Sequence, residues 1–185
     1  MIKLPEKIDG NRIFLERPKY DIATAQEIFA HIEISRASML PWLDWVDSVK
    51  SPQDRLLFLK YVNDCWEQGK EFSYSIRLKK NNIYAGHISV VNISLQDKSA
   101  EFGYWLSDNS VGNGYIQEAI KLLETKLQQS GFKKLIIEVD EQNVRSLNVA
   151  KKLNYVQDTA KSRQKFSTVS KINRNILYFI KNIIF

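Results

Sequence analysis

The chain has 185 residues, 44% of them hydrophobic and 26% charged, which excludes an intrinsically disordered protein and predicts one domain over residues 1–185. No apolar run reaches the roughly 20 residues that cross a bilayer, and the first residues lack a secretory signal, so neither a membrane partner nor export is expected. A single cysteine, Cys65, excludes an internal disulfide and favours a cytoplasmic location.

The formal net charge of +6 favours anionic partners, such as a phosphate-bearing cofactor or an acidic protein. The lysines and arginines are scattered without an RNA-binding signature, so direct nucleic-acid binding is not expected, and a solvated basic surface stays open as the alternative. His31 and His87 have no His or Cys neighbour at metal-ligand spacing, so no metal site is predicted. Cys65 is interpreted as a small buried hydrophobe.

The first half of the chain predicts a strand and then helices. Residues 11–17 alternate in polarity and indicate a strand. A helix is predicted from Asp21, its N-cap, to His31, with a shorter helical piece over 35–40. Ser51 and Pro52 open the next helix, because proline suits a first helical position.

Three strands are then predicted in succession, over residues 72–78, 83–93 and 98–106. A hairpin turn over 79–82 joins the first two, and the third returns against the second. This order predicts an antiparallel meander.

The last part of the chain changes character. A helix is predicted over 115–129, since its apolar residues follow the 3.6-residue period, and Ser130-Gly131 caps it. A strand over 134–139, a helix over 144–153 and a strand over 175–181 follow, with an apolar tail to Phe185. Together the elements predict an α/β (α+β) fold, in which a mixed sheet carries helices on both faces.

Two glycines between the third meander strand and the next helix predict an anion site. Gly112 and Gly114 let the backbone turn tightly, and the following helix N-terminus offers unpaired N–H groups to a pyrophosphate. Gln117 stands where the dinucleotide motif GxGxxG has its last glycine, and the P-loop lysine is missing. An ordinary turn stays open as the alternative.

The helix over 144–153 begins with a second candidate site. Asn143 is a good N-cap, and Ser146 lies in the first turn, where its hydroxyl can meet a ligand held between two strands. A cap without a ligand is the competing interpretation.

Four segments of the chain, taken in sequence order, resemble the GNAT superfamily of acetyltransferases. They are most similar to its branch of ribosomal-protein serine/alanine N-terminal acetyltransferases. The resemblance runs from about Arg12 to Tyr155 and is looser to the end of the chain. It rests on the Trp-containing segment 39–46, on the strand 101–106, on the loop and helix start 112–119, and on 137–155.

The resemblance implies a GNAT acyl-CoA N-acyltransferase fold: a mixed, mostly antiparallel sheet in which the strand ending at Leu106 and the strand 134–139 splay apart. Acetyl-CoA is expected to lie in that opening as acetyl donor, without a metal. The pantetheine is expected on the strand ending at Leu106 and the pyrophosphate on the loop with Gly112 and Gly114. The reacting thioester end is expected near the start of the helix 144–153. The implied donor-binding residues are Tyr104, Trp105, Leu106, Gly112, Asn113, Gly114, Tyr115, Ile116, Asn143 and Ser146.

For catalysis, the resemblance implies direct attack of an amine on the thioester in a ternary complex. Ser146 is expected to give a proton to the leaving thiol, with Asn143 orienting it, and Glu101 is the candidate base acting through water. Trp42 and Trp45 are candidate walls of the acceptor cleft, and as two aromatics three residues apart they could equally belong to the core or to a dimer contact.

The expected acceptor is the α-amine of a protein N-terminus, with an acidic ribosomal protein as the implied partner of a basic enzyme. A small-molecule amine, or a CoA-binding protein without turnover, stays open. Two features keep the CoA-binding alternative open: Val111 stands where the family usually has Arg or Gln, and the stretch 157–171 is basic. Asn154 stands where glycine is usual. Homodimers are common among similar proteins.

Overall fold

A large mixed sheet organises the protein, whose computed structural model describes residues 2–183. Within these residues the sheet has nine strands in the order β1-β2-β3-β4-β5-β6-β9-β7, and β8 pairs with β9. Among these nine strands, β5 and β6 are the only neighbours that run parallel to each other. The strands are β1 (Lys7–Asp9), β2 (Ile13–Glu16), β3 (Phe72–Leu78), β4 (Tyr84–Ser94), β5 (Ser99–Leu106), β6 (Lys134–Asp140), β7 (Val156–Gln157), β8 (Arg163–Phe166) and β9 (Asn173–Asn182).

The predicted meander is confirmed, because β3 pairs antiparallel with β4, and β4 with β5. The strands β1, β7 and β8 were not predicted. β1 and β7 have three and two residues, which is too short for an alternating pattern to stand out, and the four residues of β8 are three polar residues followed by Phe166, which do not alternate. The predicted apolar end of the chain, Ile184 and Phe185, lies outside the described residues.

Four α-helices flank the sheet in the described part of the chain: α1 (Ile22–Met39), α2 (Pro52–Glu67), α3 (Tyr115–Gln129) and α4 (Val144–Lys152). The prediction of two separate pieces over 21–31 and 35–40 was wrong, because α1 is continuous to Met39. No glycine or proline interrupts it, and Pro41 disfavours helix at the residue before it. Asp21 caps α1 as predicted, with its side chain accepting the Thr24 N–H at 2.7 Å.

The helices cover both faces of the sheet. The apolar residues of α3 and α4 pack with most of the strands in one buried cluster. Residues of α1 and α2 form a second cluster with Tyr84 and Trp105. Cys65 is buried, as predicted. Among residues 2–183, no helix is long and apolar enough to cross a membrane.

The sheet opens between β5 and β6, as the family resemblance implies. The two strands pair over only three positions, ending at Glu101↔Ile136. Beyond that point β5 continues to Leu106, paired with β4, and β6 continues to Asp140, paired with β9. The β6-facing backbone groups of the later part of β5 are therefore left without a strand partner in the described chain, and this opening positions the candidate site.

Candidate active site

A cavity of about 640 Å³ lies at the opening between β5 and β6. Its walls come from the end of β5, from the loop before α3 and the first turn of α3, from α4, and from the segment after α1. Most of the predicted donor-binding residues are brought together here. Those that line the cavity are Tyr104, Trp105, Leu106, Gly112, Asn113, Gly114, Ile116, Asn143 and Ser146, with Trp42 beside them.

The glycine loop places backbone donors at this cavity. Gly112 and Gly114 have φ angles of 83° and 75°, in the left-handed region that favours glycine. The first intrahelical bond of α3 runs from the Glu118 N–H to the Gly114 carbonyl at 3.2 Å, and no described side chain caps the helix. The N–H groups of residues 115–117 are therefore donors without a recorded partner in the described chain, which suits a phosphate oxygen.

Arg12 fastens this loop from the opposite side, a role that the sequence did not reveal. Its guanidinium donates to the Asn113 carbonyl at 2.8 Å and to the Glu118 carboxylate at 2.8 Å, and its backbone N–H donates to the same carboxylate. It also lies over the Tyr115 ring, at 5.3 Å from the centroid, and Tyr115 does not line the cavity. Arg12 thus binds the loop's carbonyl side and leaves its amides to the cavity.

Two cations of α4 line the cavity as well. Arg145 and Lys152 are seven residues apart, about two helical turns, so both lie on one helix face. Neither has a recorded ion pair within residues 2–183. Val111, apolar where the resembling family usually has a polar residue, also lines the cavity. The site therefore offers amides and cations that fit the phosphates of a CoA-type molecule.

Ser146 is held at the mouth of the opening by two contacts. Its backbone N–H donates to the Asn143 side chain at 3.1 Å, which confirms Asn143 as the N-cap of α4. Its hydroxyl shares a hydrogen bond of 2.8 Å with the Tyr104 hydroxyl, which connects α4 to β5 across the opening. Burial raises the pKa of the Tyr104 phenol to about 12, so it stays protonated at neutral pH. Sequence reasoning assigned Tyr104 only a backbone role, because nothing local indicates that its hydroxyl meets Ser146.

Comparison with known protein families identifies the family of this chain. Residues 12–156 match the family described as the acetyltransferase (GNAT) domain. The chain belongs to the GNAT acetyltransferases. It is therefore an acetyl-CoA-dependent N-acetyltransferase. The ribosomal-protein-serine acetyltransferase of Escherichia coli (strain K12) is 26% identical over 125 residues, which are 67% of this chain and 69% of that protein.

Two solved acetyltransferase structures share the fold at lower identity. The microcin C7 self-immunity acetyltransferase MccE, in complex with acetyl-CoA and AMP, is 24% identical with a TM-score of 0.88, covering 97% of this chain and 98% of its own. RimL, a ribosomal L7/L12 α-N-protein acetyltransferase in complex with CoA, is 20% identical with a TM-score of 0.87, covering 96% and 98%. Structures similar to this GNAT chain have thus been solved with acetyl-CoA or CoA bound.

Glu101, the candidate base, lies apart from Ser146. It occupies the last position of β5 that pairs with β6, and it lines neither the cavity of about 640 Å³ nor the smaller cavity described below. Its carboxylate accepts a hydrogen bond from the Asn92 side chain at 2.8 Å. Burial raises its pKa, and the nearby Glu138 carboxylate acts in the same direction. The fold therefore does not bring Glu101 to the cavity that Ser146 lines.

A second cavity, of about 310 Å³, opens toward α2 and shares Leu43, Tyr104 and Trp105 with the first. Trp45 lines this second cavity, with its ring centroid 6.4 Å from that of Trp105, and 36% of it is exposed. Trp42 lines the first cavity. Neither tryptophan is buried and each lines a cavity, which disagrees with the alternative that both belong to the core.

The residues described contain no group of three or more His, Cys, Asp and Glu that could hold a metal ion. His31 instead shares a hydrogen bond of 2.9 Å with the Ser107 hydroxyl, and His87 shares one of 2.9 Å with the Ser89 hydroxyl.

Proposed function

We propose that this GNAT chain acetylates the N-terminal α-amine of a protein, of the ribosomal-protein class, by direct attack in a ternary complex. Acetyl-CoA supplies the activated acetyl group, which passes to the amine as the CoA thiol leaves. The name of the Escherichia coli relative supports this acceptor class.

The observation that carries the proposal is that the described residues place no strong base at the two cavities. Among residues 2–183, the only side-chain carboxylates that line the cavities are those of Asp54 and Asp108, and both already accept hydrogen bonds, from Ser51 and from Ser38. Burial and the charge of Arg55 lower the pKa of His87 to about 3, so it is a weak base.

A site of this kind suits an amine that loses its proton readily. An α-amine with a pKa near 7.8 needs about 0.5 kcal/mol to deprotonate at pH 7.4, whereas a lysine side chain with a pKa near 10.4 needs about 4 kcal/mol. A weak base reached through water, for which Glu101 is our candidate, is sufficient for the first and insufficient for the second. The α-amine is therefore the favoured acceptor.

The roles we propose for the donor side follow from the cavity lining. The amides of Gly112–Ile116 bind the pyrophosphate, with Arg145 and Lys152 as further phosphate partners, and the free backbone of β5 binds the pantetheine amides. A backbone N–H near Trp105 or Leu106 polarises the acetyl carbonyl. The Ser146 hydroxyl, oriented by Asn143, donates a proton to the leaving sulfur.

An acceptor screen tests the proposal. Peptides with a free α-amine and no lysine are compared with the same peptides carrying a blocked N-terminus and one lysine, and with aminoglycosides, polyamines and free amino acids. CoA thiol release and product mass are measured. We expect turnover of the free α-amine peptides alone. Turnover only of small amines would contradict the proposal, and saturable acetyl-CoA binding without any turnover would favour a CoA-binding protein.

A further inference from the structure

Arg55 lines the second cavity as a buried cation without an anionic partner among residues 2–183. It lies on α2, is 3% exposed and lines the cavity beside Trp105. Its Nε is buried without a hydrogen bond, and none of the residues described forms a recorded hydrogen bond or ion pair with the guanidinium. The group instead packs over two rings, 4.1 Å from the Phe58 centroid and 5.3 Å from that of Trp45.

Other arginines of low exposure in this protein are paired with carboxylates. Arg174, which is 7% exposed, pairs with Asp44 at 3.2 Å, and Arg77 pairs with Glu27 at 2.6 Å. Such pairing is the rule, because a buried charge is costly unless an opposite charge and hydrogen bonds compensate it. Stacking on aromatic rings compensates only part of that cost and leaves the N–H donors unused. Arg55 therefore lacks the partner that its environment calls for.

The remaining polar groups of this cavity do not supply that partner. The Asp54 carboxylate is engaged in the capping box of α2, where it accepts from the backbone N–H groups of Lys50 and Ser51 at 2.9 Å each. His87 shares its Nε2 with the Ser89 hydroxyl, and its Nδ1 is buried without a partner. Burial and the Arg55 charge keep His87 neutral at physiological pH. The cavity thus has one unpaired positive side chain, Arg55, and two buried polar atoms without a recorded partner, Arg55 Nε and His87 Nδ1.

The position of the second cavity places any occupant next to the reacting end of the donor. The second cavity shares Leu43, Tyr104 and Trp105 with the first, and Tyr104 contacts Ser146. At about 310 Å³ it is at the lower end of the size range of small-ligand pockets. An acceptor residue bound there would present its amine close to Ser146.

We propose that Arg55 binds a carboxylate of the acceptor, carried by the first or second residue of the acetylated chain. The inference rests on the proposed function and narrows it: the acceptor class is a protein N-terminus with Asp or Glu at position 1 or 2. A planar guanidinium and a carboxylate match in geometry and in charge. Polycationic amines are disfavoured by the same buried cation.

Matched peptide pairs test this inference. Peptides with Asp or Glu at position 1 or 2 are compared with otherwise identical peptides that carry Asn or Gln, and kcat/KM is measured for each. For the unmodified enzyme we expect kcat/KM to be at least about 10-fold higher for the acidic member, because its amide counterpart leaves the cation unpaired.

Two variants connect the preference to Arg55. Arg55→Met should fold, since replacing a buried unpaired charge by an apolar side chain is often neutral or stabilising, and it should remove the preference. Arg55→Lys keeps the charge and should retain part of it. The acetyl-CoA Kd and the melting temperature serve as controls for the fold and the donor site.

The outcomes separate the two proposals. Equal kcat/KM values for acidic and amide peptides, or a preference that persists in Arg55→Met, would overturn the carboxylate assignment and leave α-amine acetylation standing. Binding of acetyl-CoA without acetylation of any peptide would overturn both.

Discussion

Removal of the Ser146 hydroxyl is the sharpest test of the proposed chemistry. In Ser146→Ala the leaving sulfur loses its proposed proton donor, and the buried Tyr104 hydroxyl loses its partner at 2.8 Å. The Asn143 cap is unaffected, because it accepts from the backbone N–H of residue 146. The donor-binding loop and the two cations of α4, Arg145 and Lys152, are also unchanged. The substitution should therefore lower kcat and leave the acetyl-CoA affinity unaffected.

The expected magnitude follows from the leaving group. A thiol with a pKa near 8.5 is protonated at pH 7.4 with a gain of about 1.5 kcal/mol, so the proton donor should contribute roughly 10-fold to kcat. We therefore expect kcat to fall about 10-fold while the acetyl-CoA KM changes less than about 2-fold. The orphaned Tyr104 phenol should also destabilise the fold by about 1–3 kcal/mol.

Steady-state kinetics from pH 6.5 to 9.5 measure this prediction, with Ser146→Thr as the control that keeps a hydroxyl. The deficit of Ser146→Ala should shrink above about pH 8.5, where the thiolate leaves without a proton. An unchanged kcat, or a loss that appears entirely in the acetyl-CoA KM, would refute the proton-donor role.

Three further predictions concern the loop and the helix ends. Gly114→Ala places a side chain at φ 75°, so it should lower the free energy of unfolding by about 1 kcal/mol and raise the acetyl-CoA Kd measured by calorimetry. The control Gly131→Ala, at φ 86° in a turn outside the donor cavity, should cost the same stability and leave the Kd unchanged. Equal acetyl-CoA Kd values for the two variants would contradict the loop's role. Burial opposes ionisation of the Glu118 carboxyl, but the hydrogen bonds and the charge from Arg12 outweigh burial and lower the Glu118 pKa. The carboxylate therefore stabilises the fold above its unfolded pKa of about 4.3, and this contribution is lost as pH falls through the lower folded pKa. Arg12→Ala removes the side-chain hydrogen bond and the charge but keeps the backbone N–H donor to Glu118, so it should partly flatten the loss of melting temperature below about pH 4.3. It should also raise the acetyl-CoA Kd, because the loop loses its bond to the Asn113 carbonyl, and an unaltered pH profile would count against the role of Arg12. Asp21→Ala should lower the free energy of unfolding by about 1 kcal/mol through loss of the α1 cap, with kcat/KM unaffected, and a changed kcat/KM would show that the cap reaches the site.

Local sequence rules predicted the parts of the fold that depend on neighbouring residues. The bounds of α3 agree with its apolar period and its flanking glycines, and Gly131 has the positive φ expected of a helix C-terminus. Asn154 adopts the left-handed conformation, with φ 61°, at a position where glycine is usual in the family. Such features depend on spans of a few residues, so they can be predicted without knowledge of the fold.

Features that join distant segments could not be predicted in this way. Arg12 reaches Asn113 across 101 positions, and Tyr104 meets Ser146 across 42. No periodicity or local motif encodes either contact, because both depend on how β2 and β5 are placed against the helices. The unpaired state of Arg55 is likewise a property of the folded cavity, since an arginine one turn into an amphipathic helix is ordinarily read as exposed.

The central claim is that the amides at the start of α3 bind the diphosphate of acetyl-CoA at the opening between β5 and β6. A crystal structure with acetyl-CoA bound tests it most directly. We predict diphosphate oxygens within hydrogen-bonding distance of backbone N–H groups of residues 112–116 and the thioester sulfur beside Ser146. Acetyl-CoA bound elsewhere, with those amides contacting only protein or water, would contradict the claim.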